Sequence, residues 1–334
     1  MPENDAQATA TDNNRRYRRR TAVTVLCAGH INWDVTIHVD SLPEPDGEVA
    51  IRRRIQSGGG SAANVAAGLV GLDVAAALYG SVGGDDTGAL ALRELDRAGV
   101  DCGHVFIDSG ATTSVKYLVV DETGEVMVFS NGGANESFCT ETISTDLLGG
   151  ADHLHLTSQS PETAALLATL ASDLGLSVSF DPGRRVADRA YDDALASTDL
   201  LFLNQREADL VVDVGVLSPT APDEMTVVVK HGGDGATVYT PEGNHSHPGF
   251  AVDPVDLSGA GDAFAAGFLA TAIDGDGVAG VDRRGNGVRR CAGGRQRLWR
   301  ARRRRRDGQN RVVVGRDRPA TRTDRTAARP IMCK

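Results

Sequence analysis

Asp256-Leu257-Ser258-Gly259-Ala260-Gly261-Asp262-Ala263-Phe264-Ala265-Ala266-Gly267-Phe268 is the stretch on which the reading of this chain turns. Gly259, Ala260 and Gly261 open an apolar run that predicts a helix over Gly259–Ile273. Small residues at a helix start let a ligand reach exposed backbone N–H groups at the positive helix end, which makes an anion site. Asp262 falls in the first turn. An acid there complements the helix dipole, which is one explanation for it. A carboxylate beside an anion site also repels the anion. Keeping both makes chemical sense when the carboxylate must accept a proton from a hydroxyl that attacks a phosphoryl group.

Upstream, Gly58-Gly59-Gly60-Ser61-Ala62-Ala63-Asn64 forms a second glycine cluster at the start of an Ala-rich helix expected over Ser61–Leu72. Its glycines permit close backbone approach to a ligand, and Asn64 can hydrogen-bond a hydroxyl. Asn32 and Asp34 follow the first expected strand, Val23–Ala28, at the end where α/β folds bind ligands. Together with Asn64 they suit a polyhydroxylated substrate. Asn204-Gln-Arg-Glu207 follows another strand; its spacing reads as a capping box, with an indirect magnesium-phosphate contact as the alternative. Gly232-Gly-Asp-Gly235 follows the strand ending near Lys230, as a flexible turn or a place where backbone meets nucleotide.

Between these motifs, helix and strand alternate. Strands are expected at Val74–Tyr79, His153–Leu156, Ser177–Phe180, Asp199–Leu203 and Thr226–Val229, with helices over Thr87–Ala98 and from near Pro161, Asp188 and Asn204. Repeated β-then-α units predict a mostly parallel sheet flanked by helices. Two amphipathic pairs stand apart from this pattern: Val35–Val39 with Val49–Ile55, and Thr113–Val120 with Glu125–Phe129. They predict a small separate sheet, with strands within about 34–56 and 112–130, one face of which can cover a ligand.

The net charge of −10 averages two unlike parts. Residues 1–280 hold 16 Lys and Arg against 41 Asp and Glu, a net of −25; residues 281–334 hold 19 against 4, a net of +15. Only two lysines, Lys116 and Lys230, occur in the acidic part. Excess carboxylate repels itself, and concentrated salt screens that repulsion, so the composition suits a salt-adapted cytoplasmic protein. The five cysteines form no CxxC pair, which disfavours a zinc site or disulfide framework. No apolar run reaches 18 residues, so no membrane span is expected. Arg15–Arg20 before the apolar run imitates a signal peptide, but the run is short and lacks a cleavage pattern; residues 1–21 read as a disordered polar leader. No GxxxxGK[ST] occurs and Gly29-His-Ile-Asn-Trp-Asp34 is not GxGxxG, which removes P-loop and dinucleotide-binding readings.

Taken together, these residues resemble the PfkB/ribokinase family of carbohydrate kinases over about residues 22–275. The Gly-Ala-Gly-Asp and Gly-Gly-x-x-x-Asn segments are similar to its two signatures, in order and about 200 residues apart. Gly29–Asp34 with Leu42-Pro-Glu-Pro-Asp-Gly-Glu48, and Gly132-Gly-Ala-Asn135, are most similar to the ribokinase branch. The resemblance implies a Rossmann-like ribokinase fold within 22–280, a β-sheet lid that often mediates a homodimer, and ATP- and Mg2+-dependent phosphorylation of a sugar hydroxyl. It implies Asp262 as catalytic base with the Gly259–Ala260–Gly261 amides as anion hole. Asn32, Asp34, Gly59, Gly60 and Asn64 would hold the sugar. Asn204 and Glu207 would act near phosphate and Mg2+, with Glu207 reaching the metal through water. Lys230, Gly232 and Gly235 would line the nucleotide site, and Asp256 matches a position linked to a monovalent cation such as K+ in some members.

Ser61 stands where ribokinases carry Lys, and Asp181-Pro-Gly-Arg184-Arg185 replaces Asn-Pro-Ala-Pro, so the substrate class stays open among pentose, hexose, keto-deoxy acid and nucleoside. After about residue 280 the family pattern gives way to an Arg-rich tail with 7 Leu, Ile, Val and Phe in 54 residues, too few for a core. A reading-frame change near residues 274–285 is one account, a basic tail binding nucleic acid nonspecifically another; no specific nucleic-acid partner is expected. The alternatives to an active sugar kinase are a sugar-binding pseudokinase with a damaged nucleotide side, and a nucleoside kinase of the same family.

Overall fold

The structure is a computed structural model that describes residues 24–138, 143, 145–213, 225–241, 243–250 and 258–274. The leader, the Arg-rich tail and Asp256 lie outside the described residues. Strand β1 (Thr24–Ala28) stands near the middle of a nine-stranded sheet. With β2 (Asn32–His38) and β3 (Arg53–Gly59) reserved for a second sheet, the chain continues through α1 (Ser61–Val70), β4 (Ala75–Gly83), α2 (Asp86–Ala98) and β5 (Asp101–Asp108). Then come β6 (Ser114–Val120), β7 (Val126–Ser130), α3 (Thr145–Leu148), β8 (His153–Thr157), α4 (Pro161–Asp173) and β9 (Ser177–Asp181). The rest is α5 (Asp192–Leu195), β10 (Leu200–Asn204), α6 (Gln205–Asp213), β11 (Thr226–Lys230), β12 (Ala236–Thr240), β13 (Gly243–His247) and α7 (Ala260–Asp274).

The large sheet runs β13-β12-β11-β10-β9-β8-β1-β4-β5. It is parallel from β5 to β11, with β12 and β13 added antiparallel at one edge. The mostly parallel, helix-flanked sheet expected from the βα alternation is therefore present. Its strands are apolar on both faces: Val25 and Cys27 enter the core with α1 and α7, while Leu26 and Ala28 enter the other core with α4. Chain order reverses between β1 and β8. Open α/β sheets bind ligands outside the carboxyl ends of the strands at such a switch.

The second sheet runs β3-β2-β6-β7, so both amphipathic pairs do join a small sheet of their own. Its strands differ in their bounds from expectation. β3 starts at Arg53 rather than Val49, because it pairs antiparallel with β2 from His38↔Arg53 to Asn32↔Gly59. Gly58 and Gly59, read as part of the glycine cluster before the helix, thereby become the end of a strand. β5, β12 and β13 carry too little alternation to be read in advance. The helix expected from near Asp188 begins only at Asp192, because Arg189 and Tyr191 are drawn aside to donate to the Gln159 carbonyl. At α2 the expected boundary holds to one residue: Asp85 accepts from Gly88 N at 2.8 Å as N-cap, and Gly99 closes the helix in a left-handed conformation.

Candidate active site

Two helix starts meet at the site. Helix α1 packs against α7 so closely that a Cβ on Gly68 would lie 2.8 Å from the Ala266 Cβ. This contact brings together side chains 198 residues apart: Asn64 Nδ2 donates to Asp262 Oδ2 at 2.7 Å. The two signature segments are thus one site, and Asn64 sets the orientation of the Asp262 carboxylate.

Around Asn64, backbone lies where side chains cannot. Gly60, the N-cap of α1, has φ 95°, and a Cβ on it would strike the His30 carbonyl and the Asn32 N–H. A Cβ on Gly59 would overlap the Asp34 carboxylate, which lies over it. Burial raises the Asp34 pKa, with Lys116 working against it from the register position beside it on β6. One Asp34 oxygen, Oδ1, is buried without a hydrogen-bond partner. Asn32 is 9% exposed and accepts from Asn135 Nδ2 at 2.6 Å, while Asn135 Oδ1 takes the Ile31 N–H at 3.2 Å.

On the opposite side of Asp262 stands the second charged group. Lys230 Nζ donates to Asp181 Oδ2 at 2.5 Å, and it would be 3.5 Å from a Cβ on Gly261 at the start of α7. Burial lowers the Lys230 pKa, but attraction to Asp181, Glu207 and Asp262 outweighs it, so the ammonium is held charged. Asn204 and Glu207 form the reciprocal capping box that their spacing suggests: Asn204 N donates to Glu207 Oε2 at 2.8 Å and Glu207 N to Asn204 Oδ1 at 2.9 Å. Glu207 is also 5% exposed and its pKa is raised by burial, an odd setting for a mere surface cap. Gly232 lies in the turn between β11 and β12 with open space above it, whereas Gly235 packs against the backbone of His247 and Gly249.

Sequence reading missed part of the site. His30 Nε2 meets Glu136 Oε1 at 3.0 Å, and Arg189 donates to both Glu136 oxygens at 3.0 and 3.3 Å. Burial raises the Glu136 pKa, yet the bonds from His30 and Arg189 overcome this and bring it to about 2. Glu136 follows the Gly-Gly-Ala-Asn segment directly, the one local sign of it; nothing local marks Arg189. Among the described residues no group of three His, Cys, Asp or Glu side chains is placed to hold a metal ion, and no helix is long and apolar enough to cross a membrane.

Residues 23–292 match the profile of the pfkB family carbohydrate kinase, which extends the likeness past residue 275. The chain is 57% identical over 256 residues to an ATP-dependent ribose-1-phosphate kinase of Halopiger xanaduensis, covering 76% of this chain and 86% of that one. It is 31% identical over 257 residues to a nucleoside kinase of Methanothermobacter thermautotrophicus, covering 73% and 81%. Its fold matches that of Arabidopsis thaliana ribokinase complexed with ribose and ATP, with a TM-score of 0.68 at 21% identity over 81% of this chain and 90% of that one. None of these likenesses supports a pseudokinase.

Proposed function

The chain belongs to the pfkB family of carbohydrate kinases, phosphotransferases with alcohol acceptors, and on that premise we propose that it transfers the γ-phosphate of ATP to the primary hydroxyl of ribose-1-phosphate. The observation that carries the substrate is the 57% identity over 86% of a kinase of that specificity. The Asn64–Asp262 contact supports the chemistry. ATP supplies the phosphoryl group. Asp262, oriented by Asn64, accepts the hydroxyl proton as that oxygen attacks phosphorus in line and ADP departs. The amides of Gly259, Ala260 and Gly261 at the start of α7, with the Lys230 ammonium beside them, hold the charge that develops on the transferred group.

Asn32, Asp34, Asn64 and the backbone of Gly59 and Gly60 hold the sugar, and Gly232 and Gly235 border the nucleotide. The residues fit Mg2+ held mainly by phosphate and water, since Glu207 and Asp181 stand near one another and, among the described residues, no group of three His, Cys, Asp or Glu could hold a metal ion. Mg2+ bound there would neutralise phosphate charge, with Glu207 reaching it through water. Asp256 is the proposed K+ contact. The small sheet serves as lid, and its edge strand β7 exposes Val126, Val128 and Phe129 at 48, 54 and 54%, which supports a homodimer through that edge.

An ADP-release assay in concentrated KCl against ribose-1-phosphate, ribose, fructose and nucleosides tests the reading. Turnover should be fastest by far with ribose-1-phosphate; a nucleoside or free sugar preferred over it would overturn the assignment.

A further inference from the structure

A kinase acting on ribose-1-phosphate must bring a second phosphate into a site already bearing Asp34, Glu136 and Asp262. Lys230 pairs with Asp181, and Lys116 stands at the register position beside Asp34 on the small sheet. Arg189 and His30 meet on Glu136, next in sequence to the Asn135 that bonds Asn32. They sit where the chain order reverses, outside the carboxyl ends of β1 and β8, since His30 follows β1 closely and Arg189 Nη1 donates to the carbonyl of Gln159, just past β8, at 2.5 Å.

Three features set this cluster apart from a plain structural tie. Glu136 adopts φ 67°, a conformation that non-glycine residues rarely take, and its carboxylate meets both His30 and Arg189. A free carboxylate here would repel a phosphorylated sugar; the Arg189 guanidinium and His30 Nε2 occupy it. Bonds to Glu136 and Gln159 use three of the five N–H donors of the Arg189 guanidinium and Tyr191 meets it as well, which leaves one donor for a second anion. And the Gln159 side chain, 0% exposed, has neither Nε2 nor Oε1 hydrogen-bonded, an amide donor and acceptor left open beside Arg189.

The cluster also lies at the right end of the sugar. Asn64 meets Asp262, where the attacking hydroxyl belongs. Asn32, another residue of the sugar wall, bonds Asn135, whose neighbour in the chain is Glu136. In ribose-1-phosphate the phosphate and the primary hydroxyl are at opposite ends of the ring. We propose that Arg189 and His30, seated on Glu136 at the β1–β8 crevice, bind the phosphate the sugar already carries and so select phosphorylated over free sugar. This rests on the ribose-1-phosphate reading above.

The test compares wild type, R189M and H30Q for KM and kcat with ribose-1-phosphate, ribose and ATP, alongside Tm. Losing a charge-assisted bond predicts that R189M raises KM for ribose-1-phosphate roughly 10- to 100-fold. kcat/KM for ribose should fall much less, and KM for ATP should stay within about twofold, because the nucleotide lies at the other end. H30Q keeps a donor to Glu136 and should raise the ribose-1-phosphate KM less. Unchanged KM, or equal losses with ribose and ribose-1-phosphate, overturns the assignment and leaves the proposed function standing. Wild type that uses ribose but not ribose-1-phosphate overturns both. If R189M lowers Tm sharply, R189K replaces it: its point charge lacks the planar fork, and an unchanged ribose-1-phosphate KM there also overturns the assignment.

Discussion

At the scale of single residues, Asp262 and Lys230 flank one helix start with opposite charges. On the proposed mechanism the acid takes the proton and the ammonium faces the phosphate. D262N should lower kcat by about 10²- to 10⁴-fold, the usual contribution of a general base, with the sugar KM little changed; a steady-state assay reads both, and a kcat within tenfold of wild type would refute the base role. Asp262 and Asn64 were both legible because each sits in a short motif at a helix start, where small residues and polar side chains have few other uses. His30, Glu136 and Arg189 were not. Their partners lie 106 and 53 residues apart, and Glu136 depends on a backbone angle that no local pattern announces.

At the scale of elements, the site depends on how tightly two helices approach. G68V would force α1 from α7 at the Ala266 contact. Overpacking of this kind costs about 1–3 kcal/mol, so Tm should drop by several degrees. Because Asn64 and Asp262 come from those two helices, kcat should fall with it; a variant with lowered Tm and normal kcat would show that the catalytic contact does not depend on this packing. A second element carries a pH signature. On β8 and β9, His153 bonds Ser177 and Ser179, and His155 bonds Ser179; both histidines and Ser179 are buried, Ser177 partly so. Burial holds both imidazoles neutral, with pKa values near 3 against an ordinary 6.5. Depressed values mean that this contribution to stability is complete above pH 6.5 and is lost as pH falls toward 3. Melting curves from neutral to acid pH should therefore drop, and H155L should drop less steeply; parallel slopes would count against this ladder as the cause. The strands themselves were readable from their apolar runs, with ends off by a few residues. β3 was misplaced because its register is set by β2 across the sheet, and a period-two pattern marks a face without fixing a partner.

At the scale of the whole molecule, charge and edges decide behaviour. A net of −25 over residues 1–280 predicts that Tm rises with KCl concentration as repulsion is screened; a flat or falling Tm would remove the salt-adaptation reading. The apolar edge of β7 predicts a dimer by light scattering that V128D/F129D converts to a monomer. What the amino-acid order determined by itself was the βα alternation, the small second sheet, the acidic character and the two glycine-led helix starts, because periodicity, turn residues and helix-end chemistry act over a few positions. Only the tertiary structure decided that Asn64 and Asp262 touch, that Lys230 bonds Asp181, and that Glu136 is held between His30 and Arg189. Those facts depend on sheet order and helix packing, which join residues far apart in sequence and leave no mark at either end of the contact.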